Sequence, residues 1–341
     1  MIWLDIDNPP QVQYLLPFKF LFEERGFEVI VTARDYGITK DLLNERNIKY
    51  YSFSKEFGKA RIRKIFGVVL RALRLIIFLR QMKISFVISS SRSSAIAAKL
   101  MHIPCYIICD YEFADLKIYR LFDCNIVYPE YINISFFLEH GFQEKQLISF
   151  KGLKEHFTFY NIRINNKDHE EFANTDLVKI LYRPPGETAH YFNVLSKTIS
   201  LYLLEYLSKY DTIKIIFSPR SKNQINDLNL FSWKNKPVIL GTGINFIPLL
   251  NSVDMVISSG GTMLREAAFL GIPAYSIFMS DIGAVDKYLE EQNKIKIITN
   301  KNNFKMIKIV KRGELSKENL EACKSIVNNV VYAIIERENL C

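Results

Sequence analysis

Residues 254–273 read DMVISSGGTMLREAAFLGIP, and the fold of the chain is decided by how this stretch is read. Met255-Val256-Ile257 is a short apolar, β-branched run of the kind that a parallel sheet buries. Ser258-Ser259-Gly260-Gly261-Thr262 makes a tight turn of small residues. Met263, Leu264, Ala267, Ala268 and Leu270 then recur at helical spacing, and Gly271, with Pro273 behind it, stops the helix. Strand, glycine turn and helix N-terminus together build an anion site, because backbone N–H groups and the helix dipole point at the same spot. Glu266 falls one helical turn past Thr262, where its carboxylate can accept hydrogen bonds from neighbouring hydroxyls such as a ribose diol. The plainer reading is that any parallel α/β protein needs a tight strand-to-helix turn, which glycine supplies.

Upstream, Val178-Lys179-Ile180-Leu181-Tyr182 reads as a strand that delivers Arg183-Pro184-Pro185-Gly186-Glu187. Residues 195–207 are helical, and 213–217 form a strand that delivers Ser218-Pro219-Arg220. Three strand ends thus supply Arg183, Arg220 and the Gly260 turn, a cradle suited to one diphosphate. Either arginine taken singly reads equally well as half of a structural ion pair.

The 341 residues suit two domains, each large enough for its own core. Hydrophobic residues make up 49% of the chain and aromatic residues 13%, which describes a globular protein and excludes a disordered one. The formal charge of +9 points to an anionic partner: a nucleotide, a membrane surface or nucleic acid. Nucleic acid is the least favoured, since no zinc-finger spacing or RNA-binding signature is present. Five cysteines, most of them in apolar runs, fit buried thiols in a reducing compartment. With no signal-peptide pattern and no apolar run of about 18 residues, the expected location is the cytoplasm.

The N-terminal half repeats the strand–helix alternation. Ile2-Trp3-Leu4-Asp5-Ile6 reads as a strand that ends in Asp7-Asn8-Pro9-Pro10, followed by a helix closing at Gly26 and a strand at Val29-Ile30-Val31. The first loop lies at a strand's carboxyl end, where open α/β sheets bind ligands, which makes Asn8 a candidate contact. A capped turn with rigid prolines is the alternative. Phe86-Val87-Ile88 runs into Ser89-Ser90-Ser91-Arg92-Ser93-Ser94, where serines and Arg92 can hold phosphate or sugar hydroxyls, or simply cap the following helix. The strand at 105–109 delivers Asp110, Tyr111, Glu112 and Asp115 to the same rim. Carboxylates at a strand end are costly to bury without a partner or a task, so Asp110 and Glu112 are the candidate general bases.

Residues 59–83, KARIRKIFGVVLRALRLIIFLRQMK, combine lysines and arginines with apolar residues and hold no acid. A basic amphipathic helix of this kind can lie on an anionic membrane surface. It can equally be a crossover helix, buried on one side, whose long cationic side chains reach out to water. His102, His140, His156 and His169 lack metal-ligand spacing and read as ordinary surface or helix-end residues. Residues 161–176 are polar and read as a linker.

Asp-x-Val-Ile-Ser-x-Gly-Gly-Thr, then Glu-Ala, then Leu-Gly-x-Pro resembles the nucleotide-binding turn of GT-B sugar-nucleotide enzymes. These include the non-hydrolysing UDP-N-acetylglucosamine 2-epimerases and the lipid II glycosyltransferase. Asp5-Ile6-x-Asn8-Pro9-Pro10 and 32–36 (TARDY), together with 91–93, 110–112, 183–185, 189–191 and 219–220, resemble a narrower bacterial and archaeal group, domain-of-unknown-function family 354. The resemblance implies an α/β GT-B fold: two Rossmann-like domains whose parallel sheets face across a cleft. Its expected divisions are an acceptor-side domain at 1–160, a linker at 161–176, a nucleotide-sugar domain at 177–316 and a helix at 317–341 packing back across the domains. It further implies that Ser259, Gly260, Gly261 and Thr262 hold the diphosphate and Glu266 the ribose, with Arg265 and Asp286 as weaker candidates. In that group the positions of Gln11 and Gln13 often carry histidine, so no catalytic role is placed on either glutamine.

The function expected from these features is sugar transfer from a nucleotide-sugar donor to a surface-polysaccharide, glycan or lipid-linked acceptor, with neither metal nor cofactor. A protein of this kind would be cytoplasmic, and peripheral at the inner face of the membrane if 59–83 docks there. A 2-epimerase is the alternative enzyme. Its relatives use an acid where this chain has Ser89–Ser94 and a histidine near the position of Arg220. A non-catalytic nucleotide-sugar-binding subunit is a third possibility, which would not need the Asp110 and Glu112 rim.

Overall fold

The computed structural model describes residues 1–53, 61–161, 176–186, 193–241 and 244–340. The chain divides into two compact units, Met1–Ile162 with Leu320–Cys341, and Arg163–Asn319. Most of the expected linker, and the 189–191 motif, lie outside the described residues.

The first unit alternates strand and helix: β1 (Ile2–Ile6), α1 (Pro9–Glu24), β2 (Val29–Ala33), α2 (Thr39–Glu45), β3 (Tyr51–Ser52), α3 (Arg61–Leu79), β4 (Phe86–Ser89), α4 (Arg92–Leu100), β5 (Cys105–Ile108), α5 (Lys117–Leu121), β6 (Asn125–Pro129), α6 (Ile134–Glu139), β7 (Leu147–Phe150) and α7 (Glu155–Thr158). The seven strands run parallel in the order β3-β2-β1-β4-β5-β6-β7. Leu4 at the centre of β1 lies opposite Val31 of β2 and Ile88 of β4, so β1 is flanked on both edges and every residue of it is buried. This explains why the strand reads as a nearly continuous apolar run and not as an alternating one. α1 begins where Asn8 accepts a hydrogen bond from the Gln11 amide and two prolines, which have no N–H to satisfy, occupy the first turn. It ends before Gly26, whose φ of 83° is the left-handed conformation that glycine adopts without cost.

The second unit comprises β8 (Val178–Arg183), α8 (Val194–Ser208), β9 (Ile213–Phe217), α9 (Asn223–Leu228), β10 (Val238–Ile239), α10 (Phe246–Leu250), β11 (Met255–Ser258), α11 (Gly261–Phe269), β12 (Ala274–Ser276), α12 (Ala284–Glu291) and β13 (Ile295–Ile297). Its parallel order, β10-β9-β8-β11-β12-β13, repeats the plan of the first six strands of the other sheet. α13 (Lys317–Arg337) closes the chain, and Val327, Val330, Val331, Ile334 and Ile335 on it enter the core of the first unit.

In that core Phe18 meets Phe157 edge-on at 5.2 Å and Phe22 meets Phe86 at 5.6 Å. Each such ring, fully buried, contributes about 1.5–3 kcal/mol over exposure. The second core gathers Tyr182, Phe217, Leu203, Leu207 and Ile257 between sheet and helices.

The two sheets share a consequence for function. In each, chain order reverses direction beside the first strand, between β1 and β4 and between β8 and β11. Loops leaving the two central strands diverge there, which leaves a crevice at their carboxyl ends.

α3 connects β3 to β4 and packs against α4, the position of a crossover helix. Its basic residues do not all reach for water. Arg71 is 2% exposed and grips Asp5 of β1 with two hydrogen bonds of 2.6 and 2.9 Å, while Thr32 donates a third at 2.6 Å. Burial alone would lower the Arg71 pKa, but Asp5 outweighs that penalty and holds it above the ordinary value. His156 is a helix-end residue, in the single turn of α7, and is buried there with its Nδ1 3.0 Å from the Leu153 amide. His169 lies outside the described residues.

Candidate functional site

At the crevice of the second unit, Arg183 closes β8 directly opposite Ser258, the last residue of β11. The Ser258 hydroxyl turns back to accept the Gly260 amide at 3.0 Å, which fixes the turn. Gly260 is the N-cap of α11 and has no side chain to satisfy the helix's first N–H groups. These carry the positive end of the helix dipole. Ser259 is buried, Gly260 and Thr262 half-buried, and Gly261 exposed.

Arg220, just past β9, lies directly on this turn. Its Nε donates to the Pro184 carbonyl at 3.2 Å, and its backbone amide donates to Gln224 Oε1 at 2.7 Å. Gln224 in turn donates to the Pro185 carbonyl at 2.6 Å, so the carbonyls of the two prolines after β8 hold both residues. A Cβ at Gly260 would stand 2.7 Å from Arg220 Nη2. Glycine here leaves room for the close approach of a guanidinium that a Cβ would displace, while its φ of −137° is open to any residue. Arg183 donates to Ser218 Oγ at 2.9 Å, and its guanidinium carbon lies 4.4 Å from the centre of the Phe246 ring. Two arginines and an uncapped helix start thus share one strand-end surface, an arrangement that can hold a diphosphate.

Arg265 is placed differently. It is 3% exposed and clamped by Asp286 through bonds of 2.7 and 2.9 Å, an ion pair that ties α11 to α12. Its guanidinium carbon lies 3.6 Å from where a Gly261 Cβ would be, so it braces the turn from inside. Glu266 is buried on the same helix.

In the first unit, Asn8 and Arg92 stand at the ends of the adjacent strands β1 and β4. Asn8 spends its carbonyl oxygen on capping α1, and Gln11 accepts the Asp7 amide at 2.6 Å to brace the same loop. Gln13 bonds Arg46. Both glutamines thus have structural partners. Arg92 is exposed and pairs with Asp115 at 3.3 Å, while Ser91 caps α4 and accepts a hydrogen bond from Arg71 at 3.1 Å.

Asp110 and Glu112 share the end of β5 but not an environment. Asp110 is ion-paired with Lys154 at 2.5 Å, and that lysine is 5% exposed and lies over the Tyr14 ring. Tyr14 donates to Ser90 Oγ at 3.0 Å, Ser90 passes a bond to the Ile108 carbonyl at 2.9 Å, and Tyr119 donates to the Ser90 carbonyl at 3.0 Å. Burial raises the Tyr14 pKa to about 12, against the opposing pull of Lys154. Glu112 is 7% exposed. Burial also pushes the neighbouring Cys109 thiol up to about 12.

Two participants were not read from the sequence as site residues, Arg71 and Lys154. The signal for the first was Asp5, an acid inside a central strand that demands a buried cation. For the second it was the rim carboxylate Asp110, which demands one likewise.

The model of a family described as "Protein of unknown function (DUF354)" matches residues 1–337. An uncharacterized protein of Methanocaldococcus jannaschii is 27% identical over 305 residues, covering 86% of each chain. Among solved structures, the UDP-GlcNAc 2-epimerase of M. jannaschii in complex with UDP-GlcNAc and UDP superposes with a TM-score of 0.74 at 16% identity, over 97% of this chain and 99% of its own. A glycosyltransferase of Rickettsia africae gives 0.55 at 15% identity, over 99% and 92%. At these identities the likeness is one of fold, and it is the GT-B fold.

Proposed function

We propose that this chain, which belongs to the DUF354 family, is a nucleotide-sugar enzyme that transfers the sugar to a surface-polysaccharide, glycan or lipid-linked acceptor. The observation that carries the reading is Arg220 resting on Gly260 above the uncapped start of α11. Donor diphosphate would lie there, held by Arg220, Arg183 and the N–H groups of Gly261 and Thr262, with Glu266 accepting from the ribose diol. As the bond from anomeric carbon to phosphate oxygen breaks, negative charge grows on the diphosphate, and preorganised cationic groups stabilise it more than they stabilise the ground state. The first unit supplies the acceptor chemistry. Glu112 takes the proton of the attacking hydroxyl, and Asp110, neutralised by Lys154, acts as a positioning residue.

UDP-GlcNAc is the first donor to try, because the M. jannaschii neighbour was crystallised with it. Epimerisation ranks second. It needs an acid–base pair working on the sugar carbon itself, whereas the 89–94 loop contains no acid and Asp110 is committed to Lys154.

The deciding experiment is a thermal-shift screen with UDP-, GDP-, CMP- and TDP-sugars on wild type, Arg220→Gln and Glu266→Gln. One donor should raise the wild-type Tm, and both variants should lose the shift while keeping the unliganded Tm within a few degrees. Glu112→Gln should bind the donor normally yet turn over about 10²–10⁴-fold more slowly. The absence of a shift with every donor would refute the donor site. Conversion of UDP-GlcNAc to its 2-epimer would establish the second reading.

A further inference from the structure

We infer that the outer face of α3 is a docking surface for an anionic lipid bilayer. α3 is an amphipathic helix whose basic positions gather in one sector and whose apolar face is wide, running round most of the rest. Only one side of it is covered. Ala72, Leu75 and Leu79 are buried with Arg71, whereas Phe66 and Ile77 are each 63% exposed, Leu73 47%, and Ile65 and Val69 are exposed beside them. Phe66, Leu73 and Ile77 are seven and four residues apart, so they form one stripe along the helix. Arg63 and Arg74 flank that stripe on one side, and Arg80 lies at its end, all three of them exposed. Among the described residues neither Arg63 nor Arg80 has an acidic partner, and residues 59–83 contain no acid.

The occupant is indicated by that charge pattern. A contiguous apolar stripe edged by guanidinium groups complements the two layers of an anionic membrane surface, with rings and branched chains entering the acyl boundary and arginines meeting lipid phosphates. A second copy of the chain fits less well. A two-fold contact sets the same patch against itself, so the arginines of both copies would gather with no acid on the helix to answer them. No helix among the described residues is long and apolar enough to cross a membrane, so the contact is peripheral. None of the residues assigned to the donor lies on α3, and the inference therefore stands or falls apart from the donor reading.

The test is flotation of the full chain with phosphatidylcholine vesicles, with and without phosphatidylglycerol, at low and high salt. The chain should float only with the anionic vesicles and be released as salt screens the arginines. Arg63→Gln and Arg80→Gln should each lower the partition coefficient roughly fivefold. The double variant Phe66→Ser/Ile77→Ser should abolish flotation with unchanged circular dichroism and Tm, since both side chains are exposed in the free protein. Failure to float, or equal flotation with neutral vesicles, overturns the inference. So does a lipid-free dimer, seen by sedimentation, that the double variant dissociates. If flotation succeeds and the nucleotide-sugar screen fails, the donor site is lost and the docking surface remains.

Discussion

At position 260 a methyl group would meet Arg220 Nη2 at 2.7 Å, while the backbone there is open to any residue. The contact is with the far end of a flexible side chain, so Gly260→Ala should fold with little change in Tm and displace the guanidinium. Losing one charge-assisted hydrogen bond to phosphate, about 1.5–3 kcal/mol, should weaken donor binding by roughly ten- to a hundredfold in titration calorimetry. At position 5 the balance is of another kind. Asp5→Asn leaves the buried Arg71 with only the half-buried Asp7, 3.7 Å away, as counter-charge, which should cost about 3 kcal/mol in urea denaturation, while Asp5→Leu/Arg71→Met should recover much of that loss. The turn at Gly260 was legible in the sequence because strand, turn and helix are contiguous there, whereas the approach of Arg220 to it was not. The role of Arg71 was not, because its partner lies 66 positions away. Composition gives the charge of a helix as a sum, whereas burial sorts that charge residue by residue.

The strands and the helix boundaries at the level of single elements follow from local chemistry, and most of them could be read directly. Asn8 illustrates where such reading stops. Its place after β1 marked it as a ligand contact, and the structure gives its carbonyl oxygen to the Gln11 amide at 3.2 Å. Asn8→Ala should therefore lower stability by about 1 kcal/mol in chemical denaturation. If capping is its whole task, the donor-induced thermal shift should be unchanged. For α3, an amphipathic pattern with a wide apolar face could not say which part of that face was covered. The covered face is set by Ala72, Leu75 and Leu79 packing inward and by the reach of Arg71 to a strand that sequence proximity does not reveal. Asp110 shows the same limit: its partner Lys154 comes from the far end of the sheet's chain order.

Across the whole molecule, the parallel α/β alternation was legible because short apolar runs and helical stretches take turns along the chain. The plan of two Rossmann-like domains rested on the resemblance to GT-B enzymes, and the strand order came only with the structure. The molecule's response to alkali follows from what those cores bury. Tyr14 moves from 10.0 to about 12 and Cys109 from 9.0 to about 12, both chiefly through burial. Above pH 9 the unfolded chain releases these protons and the folded chain keeps them. Stability is therefore intact below pH 9 and declines progressively toward pH 12. Tm measured across that range should fall, and Cys109→Ala should flatten the first part of the decline.

α13 has a consequence for the order in which the molecule is made. The second unit is continuous in the chain, whereas the first is completed only by residues 320–341, which bring Val327, Val331 and Ile334 into its core. A ribosome therefore finishes every strand of the N-terminal sheet and then synthesises the whole of the other unit before the closing helix exists. Domains usually fold in the order of their synthesis. Here the later-made unit can fold first, and the earlier one stays open, its apolar face uncovered and in need of protection, until the last turns of helix leave the exit tunnel.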